Sequence, residues 1–204
     1  MVLRFDGTRT RPYAVRAMLD AVLHPRIEQL LANLAARIAA YGIRADALTV
    51  AAFLVGIAGL PDIAHHAYLT GLALITLSRL FEVADGAVAR HAGPTRFGAY
   101  LAVVLDLIWT ASVPFAFALA EPERALAAMF FLVGLVARAA ALTAAGSPNA
   151  PDWGANLIGK SEIFVAFALA CIFPDWFSII AYVVGILCFV MAGFRVAAAA
   201  AHRA

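Results

Sequence analysis

Apolar residues fall into six long runs, separated by short polar segments rich in turn formers. The runs span about Ala45 to Leu60, Ala64 to Ala84, Phe97 to Leu119, Arg124 to Ala145, Gly159 to Phe173 and Trp176 to Ala199. Each reaches, or falls slightly short of, the roughly 17–25 residues that a helix needs to cross a bilayer. The alternation that marks a membrane β-barrel is absent. Residues 1–43 follow another pattern, in which Arg16, Asp20, Arg26, Glu28 and Arg37 interrupt every apolar stretch. That pattern predicts amphipathic helix on the membrane surface, arginines toward lipid phosphates, or a short helix packed on the bundle. The expected fold class is all-α integral membrane: six transmembrane helices with an N-terminal amphipathic surface helix. The expected division is a juxtamembrane segment over 1–43 and a six-helix transmembrane domain over 44–204.

Composition strengthens this reading. Hydrophobic residues make up 64% of the 204-residue chain and charged residues 14%, and mean hydropathy is +0.89. A soluble domain of this length exposes too much surface to hide so many apolar side chains. The net charge of +2 gives no reason to expect a nucleic-acid partner. Cys171 and Cys188 lie within apolar runs and read as buried thiols. The Arg-rich first forty residues do not have the form of a cleavable signal peptide.

Charge placement sets the expected orientation. Arg4, Arg9, Arg11, Arg16, Arg26, Arg37 and Arg44 precede the first run, Arg90 and Arg96 follow the second, Lys160 opens the fifth, and Arg195 and Arg203 end the chain. The alternate loops, around Pro61-Asp62, Glu121-Pro122-Glu123-Arg124 and Pro174-Asp175, hold one arginine and several acids. Both termini are therefore expected on the cytoplasmic side of a membrane, a bacterial inner membrane on this reading.

Several ionisable residues sit inside the apolar runs, where each costs at least ~2.5–3.5 kcal/mol and is by default functional. They are Arg79, Glu82, Asp85, Asp106, Arg138 and Glu162, all in the cytoplasmic halves of their helices. Glu82 and Asp85, three apart, share a helix face. A hairpin bend over 90–96 would bring Asp106 of the third helix toward them. Three converging carboxylates suit a hard divalent cation. Ordinary pairing explains the same charges: Arg79 with Glu82, Asp85 with Arg90, Arg138 with Glu162. Gly86, Ala89 and Gly98 would let a flat ligand or another helix approach closely.

The run Glu82-Val83-Ala84-Asp85-Gly86-Ala87-Val88-Ala89-Arg90, followed after seven residues by Gly98 and then Asp106, resembles the signature of the CDP-alcohol phosphatidyltransferase family. That signature reads Asp-x-x-Asp-Gly-x-x-Ala-Arg, a spacer, then Gly-x-x-x-Asp-x-x-x-Asp. The stretch Gly42 to Thr49 resembles the family's lead-in to its first helix. Glu82 and Ala102 stand where the signature has its first and third aspartates. The resemblance implies a homodimeric phosphotransferase of phospholipid biosynthesis in the membrane lipid. It would move a phosphatidyl, or other substituted phosphate, group from CDP-diacylglycerol or another CDP-alcohol to an alcohol acceptor, releasing CMP. It implies Glu82, Asp85 and Asp106 as ligands for Mg²⁺ or Mn²⁺, two ions or a single one, with Asp106 also the catalytic base. It implies nucleotide contacts at Gly86, Ala89, Arg90 and Gly98. Arg138 and Lys160 are candidates for the acceptor or its phosphate.

Two alternatives stand beside this. Ala102 supplies no oxygen, so a family-like chain that binds nucleotide or lipid without turnover is one. A small transporter using Glu82, Asp85 and Asp106 as a carboxylate relay is the other, although no inverted repeat supports it. Trp109, Trp153 and Trp176 are candidate interface anchors, Trp109 alternatively buried, and His65 and His66 fall at the opposite end from the acids.

Overall fold

The computed structural model describes residues 44–93, 95–145 and 158–201, with the side chains of 90–92, 144–145 and 201 excepted. The N-terminal segment, Trp153 and most of the loop before the fifth run lie outside the described residues. Each apolar run becomes one α-helix: α1 (Ala45–Ala64), α2 (Tyr68–Ala92), α3 (Arg96–Ala120), α4 (Ala125–Ala145), α5 (Lys160–Ile172) and α6 (Phe177–Ala201). Short 3₁₀ turns, Pro122–Arg124 and Pro174–Trp176, lead into α4 and α6. Among the described residues there is no strand.

Four segments are long and apolar enough to cross a membrane: α1, α3, α4 with its leading turn, and α6 with its leading turn. Their outward faces carry large apolar side chains such as Leu54, Leu126 and Val196. Lipid, as apolar as these side chains, is the solvent in which that surface is stable. The chain is thus an all-α integral membrane protein. The other two helices differ for separate reasons. α2 has the length but carries Arg79, Glu82, Asp85 and Arg90 along its second half. α5 has 13 residues, about 20 Å of helix.

α1 is the hub, packing along α2 on one side and α3 on the other; α3 passes on to α4, α4 to α6, and α5 rests against α2 and α6. Small residues let backbones meet. A Cβ added at Gly134 of α4 would stand 3.0 Å from Gly185 Cα of α6. Aromatic rings fill the middle: Phe117 stacks on Phe177, and Phe167 lies edge-on to Trp109. At the end remote from the acids of α2, Arg124 ties two turns together. Its Nε meets Glu121 at 2.7 Å and its Nη2 meets Asp175 at 3.2 Å. Glu121 also accepts from the Tyr68 hydroxyl, which lies 3.0 Å from His66 Nδ1.

Three expectations change. Pro61-Asp62, expected in a loop, lies inside α1, which runs on to Ala64. The second apolar run reads as ending near Ala84, but α2 continues to Ala92, because nothing from Asp85 to Arg90 breaks a helix. The expected bend begins only at Gly93, with φ of +92°, and α3 starts at Arg96. The third helix was expected to lie against the second; instead α1 packs against both, and α2 and α3 have little backbone contact of their own. Their acidic faces look at each other across a cleft.

Candidate functional site

The cleft is narrow: its cavity is about 40 Å³, and the 380 Å³ of free space in and around it includes open solvent. α1 supplies Thr49, Ala52 and Phe53 to its wall, α2 supplies Ser78, Arg79, Glu82 and Asp85, and α3 supplies Ala102, Leu105, Asp106 and Trp109. The α2 side chains recur every three or four residues, so one helix face points them all inward. The same periodicity places Ala102, Asp106 and Trp109 in one row on α3. All three carboxylates expected to converge therefore line one cavity.

Each has a partner. Arg79 Nη1 pairs with Glu82 one turn on, and with Asp106 Oδ1 across the cleft at 3.2 Å. Lys160, at the first position of α5, reaches the same two acids: its Nζ lies 2.7 Å from Glu82 Oε1 and 3.0 Å from Asp106 Oδ2. The four groups form a closed ring of alternating charge. Asp85, buried, accepts from Thr49 Oγ1 at 2.7 Å. Ser78 Oγ donates to the Ala52 carbonyl at 2.6 Å and fastens α2 to α1.

Trp109 is buried, and the Arg79 guanidinium lies 4.0 Å from its ring centroid. It is the floor beneath a cation and not an interface anchor. The indole needs Gly56, where an added Cβ would meet Trp109 Nε1 at 2.1 Å. Arg79 Nε and Trp109 Nε1 are both buried without a protein acceptor.

The remaining candidates are more scattered. Gly98 opens α3, where its N–H is capped by Thr95 Oγ1 at 2.9 Å, and an added Cβ would stand 2.5 Å from Asp46 Oδ1. The glycine is what lets Asp46 of α1 approach the start of α3. Gly86 and Ala89 lie farther along α2, partly exposed and outside the cleft wall. Arg90 is in the last turn of α2, and its side chain lies outside the described residues. Arg138 is buried and its Nε donates to the Ile158 carbonyl at 3.0 Å, so it anchors the entry to α5 and does not line the cleft. Trp176 is exposed at the far end of the bundle.

Sequence reasoning missed three features. The Arg79–Asp106 and Lys160–Glu82 pairs join residues 27 and 78 positions apart, beyond any local rule. Asp46 carried a signal, an acid one position into an apolar run, that went unused.

The family signature implies a pair of divalent ions, and the residues do not fit one. Among the described residues no group of three His, Cys, Asp or Glu side chains is gathered as an ion site. Ala102 turns a methyl group where a bridging carboxylate would stand. Glu82 and Asp106 already share two cations. At about 4 Å and an effective dielectric of about 20, two unit charges repel by about 4 kcal/mol, and a divalent ion would double that.

Comparison with known proteins decides the family. The CDP-alcohol phosphatidyltransferase family matches residues 42–201. The chain belongs to this family. It is 36% identical over 193 residues to inner membrane protein YnjF of Escherichia coli, covering 88% of this chain and 94% of that one. It is 40% identical over 83 residues to the archaetidylinositol phosphate synthase of Methanothermobacter thermautotrophicus, about two fifths of each chain (40% and 41%). The fold matches that of the phosphatidylinositol phosphate synthase of Mycobacterium tuberculosis, solved with CDP-DAG bound, at a TM-score of 0.74 and 19% identity, over 83% of this chain and 93% of that one. The same synthase with manganese and citrate gives a TM-score of 0.73, again at 19% identity, over 82% and 88% of the two chains.

Proposed function

We propose that this family member takes a CDP-linked alcohol into the cleft between α1, α2 and α3 and transfers its substituted phosphate to an alcohol, releasing CMP. The observation that carries the reading is the gathering of Glu82, Asp85 and Asp106 around one open cleft in a chain of this family. In the reaction the acceptor oxygen forms a bond to the donor's phosphorus. The bond from that phosphorus to CMP breaks, and CMP leaves with the electron pair. The acceptor's proton passes to Asp106. Arg79 brings its positive charge to the cleft wall, and Lys160 has one N–H left for a phosphate oxygen after serving two acids. Asp46, Gly86, Ala89, Arg90 and Gly98 lie along the route that a nucleotide would follow from the α2–α3 bend. The active end faces the cytoplasm by the distribution of arginine, all six helices cross or enter the bilayer, and two copies pair as the resemblance implies.

A second reading, binding without turnover, is favoured by one observation: both oxygens of Asp106 are engaged, one by Arg79 and one by Lys160. One assay separates the two. The full chain in liposomes is given CDP-diacylglycerol and a panel of polyol, inositol phosphate and glycerol phosphate acceptors, and CMP release is measured. Release that Asp106→Asn abolishes establishes transfer. Donor binding with no release from any acceptor leaves the second reading standing.

A further inference from the structure

We infer that Arg79 and Lys160 take the place of a divalent ion between Glu82 and Asp106, so that this pair of acids is charge-balanced without metal and the cleft binds its nucleotide donor independently of one. The inference rests on the CDP-alcohol reading of the cleft only for the donor's identity. Three observations carry it. Both cations bridge the same two carboxylates, Arg79 Nη1 reaching Asp106 Oδ1 at 3.2 Å and Lys160 Nζ reaching Glu82 Oε1 at 2.7 Å and Asp106 Oδ2 at 3.0 Å. The bridging position of an ion is thereby filled from two helices, α2 and α5. Arg79 is also fixed in place, its guanidinium 4.0 Å from the Trp109 ring centroid, above an indole that itself fits only because residue 56 is glycine. A guanidinium held on an aromatic floor is pre-organised, unlike a surface arginine recruited by chance. Finally, Ala102 lines the same wall. The absence of a carboxylate there and the two bridging cations act in the same direction: less negative charge at the cleft and less demand for an ion.

The full chain in detergent or nanodiscs is titrated with Mn²⁺, read by electron paramagnetic resonance, and its unfolding temperature is compared in Mn²⁺ and in EDTA. The wild type should show no saturable Mn²⁺ site and the same unfolding temperature in both. Saturable binding of Mn²⁺ that Glu82→Gln removes, with EDTA lowering the unfolding temperature, would overturn the inference. Arg79→Met with Lys160→Met exposes two unpaired carboxylates and should bind Mn²⁺ at least about tenfold more tightly than the wild type, the equivalent of about 1.4 kcal/mol. Affinity equal to the wild type's would count against the inference. If that double variant does not fold, Lys160→Gln alone should move in the same direction, and the wild-type titration decides independently. A short-chain CDP-diacylglycerol should raise the unfolding temperature equally in EDTA and in Mn²⁺; a rise in Mn²⁺ alone contradicts the inference. No rise in either removes the CDP-alcohol reading of the cleft, while the Mn²⁺ titration still judges the exchange of ion for side chains.

Discussion

The Asp85 carboxylate is buried, and Thr49 Oγ1 donates to it at 2.7 Å from the neighbouring helix. A hydrogen bond to a charged group contributes about 1.5–3 kcal/mol, and its loss leaves the desolvated acid uncompensated. Thr49→Val keeps the shape and removes the donor. It is expected to cost about 2 kcal/mol of stability, measured by denaturant unfolding in mixed micelles; a change within a few tenths would mean that another group serves Asp85. Gly56 acts at the same scale through space alone. Gly56→Ala places a methyl 2.1 Å from Trp109 Nε1. The indole must move, and the guanidinium above it moves with it. Overpacking of this kind costs about 1–3 kcal/mol. The variant should also weaken CDP-diacylglycerol binding and change Trp fluorescence, whereas a purely local adjustment would leave both as they are.

At the level of the helix, α1 matters more than its modest chemistry suggests. It lies between α2 and α3 and holds them apart, so that two acidic faces border a cavity. The other load on the bundle falls on α4 and α6, which touch through Gly134 and Gly185. In lipid no hydrophobic force drives helices together, and close packing of small residues does much of the work. Gly134→Val should therefore separate α4 from α6 and lower the unfolding temperature, leaving the cleft between α1, α2 and α3 able to bind CDP-diacylglycerol at temperatures where the variant is folded. Loss of binding in folded protein would show that the two halves of the bundle are coupled.

The whole molecule is two-sided in its charge. The Arg79–Glu82–Asp106–Lys160 ring lies at one end of the bundle and the Arg124–Glu121–Asp175 cluster at the other. Positive residues gather at the first end, which is expected to face the cytoplasm. Cys171 and Cys188 are buried within α5 and α6, out of reach of an aqueous reagent. A cysteine placed at Asp175, whose side chain is exposed, should then react with an impermeant maleimide in intact spheroplasts, while the wild-type chain stays unlabelled. Labelling only after the membrane is opened would reverse the orientation.

The helices were readable from the chain because apolar runs of the right length leave a backbone in lipid no other way to satisfy its hydrogen bonds. Five of the six runs became helices within a few residues of their expected limits, and α2 outran its own only because hydropathy falls where Glu82, Asp85 and Arg90 begin. The spacing of Glu82, Asp85, Gly98 and Asp106 was enough to anticipate that acids from two helices would meet. What those acids meet was beyond local pattern. Lys160 lies 78 positions from Glu82, Thr49 lies 36 positions from Asp85, and Trp109 becomes a floor for Arg79 only because α1 presents a glycine opposite it. Periodicity along a helix fixes which side chains share a face. Which charges then neutralise one another depends on how separate helices pack, and that is settled by small residues and aromatic rings far from the acids in the chain.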